Sequence, residues 1–347
     1  TVTGVQTCAL PICNDMTIDP QHARFAKDCV FREGMTEEKA RAEAVRHTVP
    51  LMRGGEVVEY PADQATLTER YTAEATKFIR AHKADPFFVY LPHTMVHIPL
   101  AASARFRGQS ESGLLGDAIE ELDWSVGEID RALKRLNLID QTLVIWTADN
   151  GAVQRNPPQG SCAPYKGWGY DTSEGAMRMP CVMRFPNQIP ASHVSDEIVT
   201  TMDLLPTFAR FARAELPSKP IDGHDMRPIL LGKPSATSPW DKSGFMYYRM
   251  EQLQAVRSGP WKLYLPQSEK LIANNRRTSS AVLQLFDVRN DVGETQEVSA
   301  ENLTVVRELT ALAEVARQEL GDTNHRGRGQ RPAGFVANPL PLEASAN

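Results

Sequence analysis

The chain lacks most of the features that assign a protein to a specialised class at sight. Its five cysteines, Cys8, Cys13, Cys29, Cys162 and Cys181, are few, odd in number and irregularly spaced, which excludes a disulfide framework and gives no zinc-site spacing. No apolar run approaches the roughly 18 residues needed to cross a bilayer, so no transmembrane segment is expected. The N-terminus has none of the charged-then-apolar order of a secretory signal. Positive charge is not in excess: 38 Lys and Arg stand against 43 Asp and Glu, a net charge of -5. With no basic stripe to track a phosphate backbone, nucleic acid is excluded as a partner. No internal repeat is visible. What is present is length: 347 residues exceed the roughly 250–300 at which a single core stops growing, which predicts one large domain and a smaller one.

The most informative stretch is Thr142-Leu-Val-Ile-Trp-Thr-Ala-Asp149-Asn150-Gly151. Its first residues suit a buried strand. Its end admits two readings, an Asn-Gly turn or a carboxylate and an amide oxygen delivered together as hard ligands for Ca²⁺ or Mg²⁺. A second strand-length apolar run, Pro86-Phe-Phe-Val-Tyr-Leu91, leads into Pro92-His93-Thr94-Met95-Val96-His97-Ile98-Pro99. Two histidines in a proline-bounded loop after a strand sit where open α/β sheets bind ligands. Between the two runs, Leu115, Ile119, Leu122, Val126, Ile129, Leu133 and Leu136 advance by three or four. They predict an amphipathic helix with Glu120, Glu121, Glu128, Lys134 and Arg135 in water. Strand, helix and strand then form a βαβ unit with a right-handed crossover.

Further helices are expected from Thr36 to His47, from Thr66 to Ile79 and from Thr201, where Pro206 is tolerable only in a first turn; a short strand is expected at Glu56–Glu59. The polar loop from Gly151 to Pro180 is of a length that is usually functional or disordered, and Lys166, Trp168, Tyr170 and Glu174 within it argue for function. A Pro/Gly-rich segment from Pro217 to Pro239 marks a boundary. Beyond it, strand-like runs at Gly244–Arg249, Gln254–Arg257, Trp261–Leu265 and Leu283–Asp287, with a helix from about Leu303 to Leu320, predict a small antiparallel sheet with one helix. Residues 1–13 show no periodicity and look like translated sequencing-adapter read-through, so they are set apart from the fold. The expected division is 1–13 as non-native, 14–238 as catalytic-domain sequence, 239–322 as a small α+β subdomain and 323–347 as a disordered tail.

Taken in order, several of these motifs carry a resemblance. The strand plus His-x-Pro at Phe87–Pro99, Glu121-Leu122-Asp123, Thr147-Ala-Asp-Asn-Gly151, Glu174-Gly175-Ala176-Met177-Arg178-Met179-Pro180, Met202-Asp-Leu-Leu-Pro-Thr207 and Asp222-Gly-His-Asp225 resemble the C-terminal two-thirds of a type I sulfatase, an arylsulfatase-like member of the alkaline phosphatase superfamily. The resemblance covers about residues 14–322. It implies an α/β fold, a mixed and largely parallel sheet with helices on both faces, plus a smaller C-terminal antiparallel sheet with a helix. It implies hydrolysis of sulfate esters, with Asp149 and Asn150 as ligands of one Ca²⁺ and His97 as sulfate-binding acid/base. His93 is a second substrate-binding candidate. Lys166 is the lysine nearest to the family's anion-binding position, which an ungapped count places at Gly169; an exposed loop lysine is the competing reading.

The resemblance also implies a formylglycine nucleophile, made by a formylglycine-generating or equivalent maturation enzyme, and a sulfated small molecule or glycan as substrate. A periplasmic or secreted location is the family expectation. The Cys-x-Pro-x-Arg motif that supplies the nucleophile, the paired-aspartate metal motif and the Gly-Lys-Trp-His segment are absent from these 347 residues. Cys162-Ala-Pro-Tyr-Lys166 has Lys where Arg belongs and comes after Asp-Asn-Gly, and is read as coincidence. The chain alone is therefore expected to be an inactive fragment. Two alternatives stay open: a phosphoryl or phosphonate hydrolase of the same superfamily, and a non-catalytic anion-binding relative.

Overall fold

The computed structural model describes residues 36, 38, 51–54, 56–59, 62–97, 99–154, 160–267, 281–332, 334, 335 and 337. Expectations for residues 1–13, and for the Thr36–His47 helix apart from Thr36 and Glu38, lie outside them. The described residues form two compact units, one ending at Thr142 and one running from Leu143 to Phe335 apart from residues 155–157.

In the first unit, β1 (Leu51–Arg53) and β2 (Glu56–Glu59) pair antiparallel. Asp63 accepts from the Ala65 N–H and opens a 3₁₀ turn that runs into α1 (Leu67–Ala81). Leu51, Ala62, Leu67 and Tyr71 bury together. α1 packs on α2 (Gly113–Arg135), and part of the seam is polar: Thr72 Oγ1 and Ser125 Oγ lie 2.6 Å apart.

α2 appears where the periodicity predicts it, but with a different inner face. Ile119 is 49% exposed, while Asp117, Glu121 and Ser125 are buried. Glu121, expected in water, is instead 1% exposed. The cause is the loop before the helix. Asp117 accepts the N–H groups of Gly108, Gln109 and Ser110 at 2.8, 3.1 and 2.8 Å, and Glu121 accepts that of Ser103 at 2.9 Å. Backbone donors brought under a helix must be satisfied there, and a carboxylate of the helix is the nearest strong acceptor.

The Phe87–Leu91 run is neither helical nor paired with a described strand, and Phe88 and Tyr90 are 49% and 65% exposed. The run expected to close the βαβ unit, Leu143–Ala148, belongs to the second unit, and every strand pairing among the described residues is antiparallel. β-branched and aromatic composition gives a run its extended preference; only a neighbouring strand makes it part of a ladder.

The second unit opens with β3 (Val144–Thr147), paired antiparallel with β4 (Cys181–Arg184) so that Thr147 faces Cys181. The loop between them contains one turn of helix, α3 (Glu174–Met177). Thr200 and Asp203 form a capping box that leads through a 3₁₀ turn into α4 (Leu204–Ala212), with Pro206 in its first turn as expected. Buried Asp203 ties the box to later segments of the chain, accepting from His224 N and Trp240 Nε1 at 2.7 and 3.0 Å. Two single-turn helices, α5 (Arg227–Leu230) and α6 (Trp240–Ser243), precede the C-terminal sheet.

That sheet is β5 (Phe245–Arg249), β6 (Gln252–Ser258), β7 (Trp261–Tyr264) and β8 (Gln284–Asp287), antiparallel in sequence order. Period-2 alternation gives it two dissimilar faces. Val256, Leu263 and Leu285 pack with Leu309, Ala313 and Ala316 of α7 (Leu303–Glu319). On the other face Tyr247, Ala255, Tyr264 and Phe286 cluster, with Arg257 opposite Lys262 in the register. The boundary read at residues 238 and 239 falls within this unit. After α7 comes a small hairpin, β9 (Gly321–Asp322) with β10 (His325–Arg326). Asp322 anchors it, accepting from Leu253 N and Arg317 Nε at 3.1 and 2.8 Å.

Candidate functional site

Asp149 and Asn150 come directly after β3 and are both exposed. The chain turns there because Gly151 can approach a backbone more closely than any other residue. Its N–H donates to the Ala176 carbonyl at 2.9 Å, and a Cβ at Gly151 would stand 1.9 Å from the Gly175 oxygen. The Asn150 amide is braced by its own turn, Nδ2 donating to the Gly151 carbonyl at 2.9 Å. Two oxygen-bearing side chains are thus presented from a stretch whose backbone is pinned to α3.

The long loop folds back on the same helical turn. Gly175 N donates to the Lys166 carbonyl at 2.8 Å, and Gly169 N donates to the Ala152 carbonyl at 2.7 Å. A Cβ at Gly169 would lie 2.9 Å from the Gly151 oxygen, so the position that the ungapped count assigns to lysine is one where backbone meets backbone. Lys166 is half-buried. Its Nζ lies 3.4 Å from the Glu294 carbonyl and 5.2 Å from the centre of the Phe286 ring. Cys162 is buried, its Sγ directed at the Ala152 carbonyl, and burial raises its thiol pKa.

The histidines belong to the first unit. His97 is half-buried in a turn closed by its own N–H on the Thr94 carbonyl at 3.1 Å. His93 lies against α1 and α2: Nε2 is 3.3 Å from Ser125 Oγ, the ring centre is 6.4 Å from that of Tyr71, and Nδ1 is buried with no partner. Burial lowers its pKa to about 4, so the imidazole is neutral at pH 7. The structure therefore sets Asp149, Asn150 and Lys166 in one unit and His93 and His97 in the other.

Among the described residues no three His, Cys, Asp or Glu side chains converge as a metal group. Asp149 and Asn150 nevertheless have the chemistry Ca²⁺ prefers, exposed hard oxygens on adjacent residues, and would supply two of the six to eight it takes.

Sequence reasoning missed a buried cluster behind this site. Glu174, fully buried, accepts Tyr247 Oη at 2.8 Å and Lys262 Nζ at 2.9 Å on Oε1, and Arg257 Nη1 at 2.8 Å on Oε2. Lys262 also reaches the Thr172 carbonyl at 2.8 Å and Glu294 Oε1 at 3.1 Å. Burial alone would raise the Glu174 carboxyl, but the charges of Lys262 and Arg257 outweigh it and hold the pKa at about 2. The available signal was the alternation of Trp261–Leu265, which puts Lys262 on the same face as Tyr264.

Known proteins resemble the chain in both sequence and structure. The family model described as Sulfatase matches residues 24–214, and the model described as N-sulphoglucosamine sulphohydrolase, C-terminal, matches residues 166–319. The steryl-sulfatase of Mus musculus is 33% identical over 309 residues, 82% of this chain and 48% of that protein. The N-acetylgalactosamine-6-sulfatase of Canis lupus familiaris is 36% identical over 233 residues, 63% of this chain and 44% of that one. The chain thus spans about half the length of these relatives. The crystal structure of the PsFucS1 sulfatase from Pseudoalteromonas sp. superposes with a TM-score of 0.70 at 20% identity, covering 84% of this chain and 61% of that one. This likeness shows the fold, the alkaline phosphatase-like α/β architecture with its C-terminal antiparallel sheet.

Proposed function

Because the chain belongs to the sulfatase family, we propose that the whole protein hydrolyses sulfate esters, with Asp149 and Asn150 as cation ligands and His97 as an acid/base. The observation that carries the reading is the pinned Asp149-Asn150-Gly151 turn, two hard-oxygen side chains fixed after a strand within the span matched by the family model.

Breaking the S–O bond puts negative charge on the bridging oxygen and the sulfuryl oxygens, so the catalytic task is to neutralise charge and deliver a proton. Asp149 and Asn150 would hold the divalent ion, which when bound supplies Lewis-acid charge beside the sulfuryl group. His97 would donate the proton to the leaving oxygen, or remove one from the attacking group, because an imidazole can do either near neutral pH. A lysine contributes a fixed positive charge to an anion without needing a precise angle. Lys166 takes that role by leaving the Glu294 carbonyl for the sulfate. His93, neutral at pH 7, contributes a hydrogen bond rather than a charge. The steryl-sulfatase and N-acetylgalactosamine-6-sulfatase likenesses support a sulfated small molecule or a sulfated glycan as substrate, and the family a formylglycine nucleophile installed by a maturation enzyme.

The test is hydrolysis of 4-nitrophenyl sulfate and 4-nitrophenyl phosphate by the purified whole protein, with and without EDTA. We expect sulfate turnover that EDTA abolishes and that Asp149→Ala lowers by about 10²–10³-fold, the scale of losing one electrostatic stabiliser. Turnover that survives Asp149→Ala refutes the assignment. Faster phosphate hydrolysis would favour the phosphoryl-transferring alternative, and sulfate binding without turnover the non-catalytic one.

A further inference from the structure

The turn that carries Asp149 and Asn150 is held by α3, and α3 is held in turn by the C-terminal sheet. Gly151 N bonds the Ala176 carbonyl at 2.9 Å, and the Gly175 oxygen fills the space where a Gly151 side chain would be. This is backbone against backbone, with no side-chain slack to absorb a shift. Two residues before Ala176, Glu174 is tied to three successive strands: Tyr247 of β5, Arg257 of β6 and Lys262 of β7. Its own N–H faces Glu294 Oε2 at 3.3 Å, and Glu294 closes the ring through Lys262 and through Tyr264 Oη at 2.5 Å. Each of these acidic, basic and phenolic groups is buried. An ionic cluster of this kind is weak evidence for net stability, because desolvation offsets much of the attraction. What it provides is geometry: the carboxylate can satisfy all its donors in one position only.

We propose that Glu174 is a positioning residue for the Asp149 and Asn150 cation ligands, locking α3, and through it the Gly151 turn, to the C-terminal sheet. The proposal rests on the reading of Asp149 and Asn150 as ligands. It makes the C-terminal sheet part of the metal site's geometry although no strand of the sheet supplies a ligand.

The experiment is Ca²⁺ titration calorimetry on the purified whole protein, with folding of each variant checked by circular dichroism. Asp149→Ala should abolish Ca²⁺ binding. Glu174→Gln should weaken Ca²⁺ affinity at least tenfold in protein that remains folded. Asp322→Asn, which loosens the β9 hairpin without touching α3, should change it less than twofold, so that destabilisation of the sheet alone is distinguished from loss of position. Should Glu174→Gln not fold, Tyr247→Phe removes one donor from the same carboxylate and leaves no charge unpaired; a weakening of about threefold is expected. Wild-type affinity in folded Glu174→Gln, or in Tyr247→Phe where that is the variant read, overturns the proposal while leaving the ligand assignment intact. Wild-type protein that binds no Ca²⁺, or Asp149→Ala that binds it normally, overturns the ligand assignment and this proposal with it.

Discussion

Lys262→Met is the most discriminating single change. Lys262 is 0% exposed, and its ammonium has three acceptors, the Thr172 carbonyl at 2.8 Å, Glu174 Oε1 at 2.9 Å and Glu294 Oε1 at 3.1 Å. Methionine keeps most of the stem volume and removes the charge. Glu174 is then left with Arg257 at 2.8 Å and Arg178 at 3.4 Å, and Glu294 loses its Lys262 contact; removing one partner of a buried ion pair costs about 3–5 kcal/mol. Counting the two hydrogen bonds to carboxylates at about 1.5–3 kcal/mol each gives a similar range. Against a typical stability of about 5–15 kcal/mol, the variant should unfold at visibly lower urea, measured as a shift in midpoint at unchanged slope. pH gives a second signature. The Glu174 carboxyl is held at about 2 in the folded protein against an ordinary value of 4.5. The unfolded chain therefore binds more protons between these values, so this contribution is full above about pH 4.5 and is lost as pH falls toward 2. The cost of Lys262→Met should be largest at pH 7 and shrink below pH 4. A loss under about 1 kcal/mol at pH 7, or one that does not change between pH 7 and pH 3, would refute the claim that Lys262 neutralises Glu174.

Other consequences are as direct. Asp117→Ala strips the acceptor from three backbone N–H groups and should cost about 1–3 kcal/mol in all, since Gly108 and Gln109 are exposed and water replaces part of what is lost; urea denaturation reads it. Gly151→Ala must displace the Gly175 carbonyl, and should lower both stability and Ca²⁺ affinity, whereas alanine at Gly54, where a Cβ meets nothing within 4 Å, should leave Ca²⁺ affinity unchanged. The His93 ring should titrate with a midpoint near 4 by NMR rather than its ordinary 6.5. The unfolded chain takes up that proton first, so the associated stability is present above about pH 6.5 and falls as pH drops toward 4; His93→Gln should flatten that part of the profile.

Where side-chain period and local chemistry agree, the fold could be read directly. The four strands of the C-terminal sheet and α7 are of this kind: alternation and turn residues located each run, and the short β5–β6 and β6–β7 connections made those strands neighbours. The helix read from Thr201 is another, because Pro206 is tolerable only in a first turn; the structure opens it with a 3₁₀ turn and starts the α-helix at Leu204. Partnering was not legible. Phe87–Leu91 has the composition of an inner strand, yet composition carries no information about which segment lies alongside, and among the described residues the run joins no ladder. α2 failed in a complementary way. Its apolar period located the helix and misassigned the face, because that face is set by the loop donors that Asp117 and Glu121 must satisfy.

The candidate site shows the same division. Asp149 and Asn150 are conspicuous because their chemistry lies in the residues themselves and in the glycine next to them. Glu174 was visible as a charged residue of the long loop and as the start of the Glu174–Pro180 motif, and nothing in the sequence named its partners. Its actual partners come from strands 73 to 88 residues later. A buried carboxylate of this kind can be recognised only once a buried lysine is found to match it. Lys262 was hidden because one lysine in the apolar run Trp261–Leu265 looks like an outward-facing residue of an edge strand. β7 is flanked by β6 and β8, and one of its faces is covered by α7, so a charge on β7 points into protein on whichever side it lies. Such a lysine requires a carboxylate from elsewhere in the chain, and among the described segments that reach this face only the Glu174 turn and the Glu294 loop carry one within bonding distance.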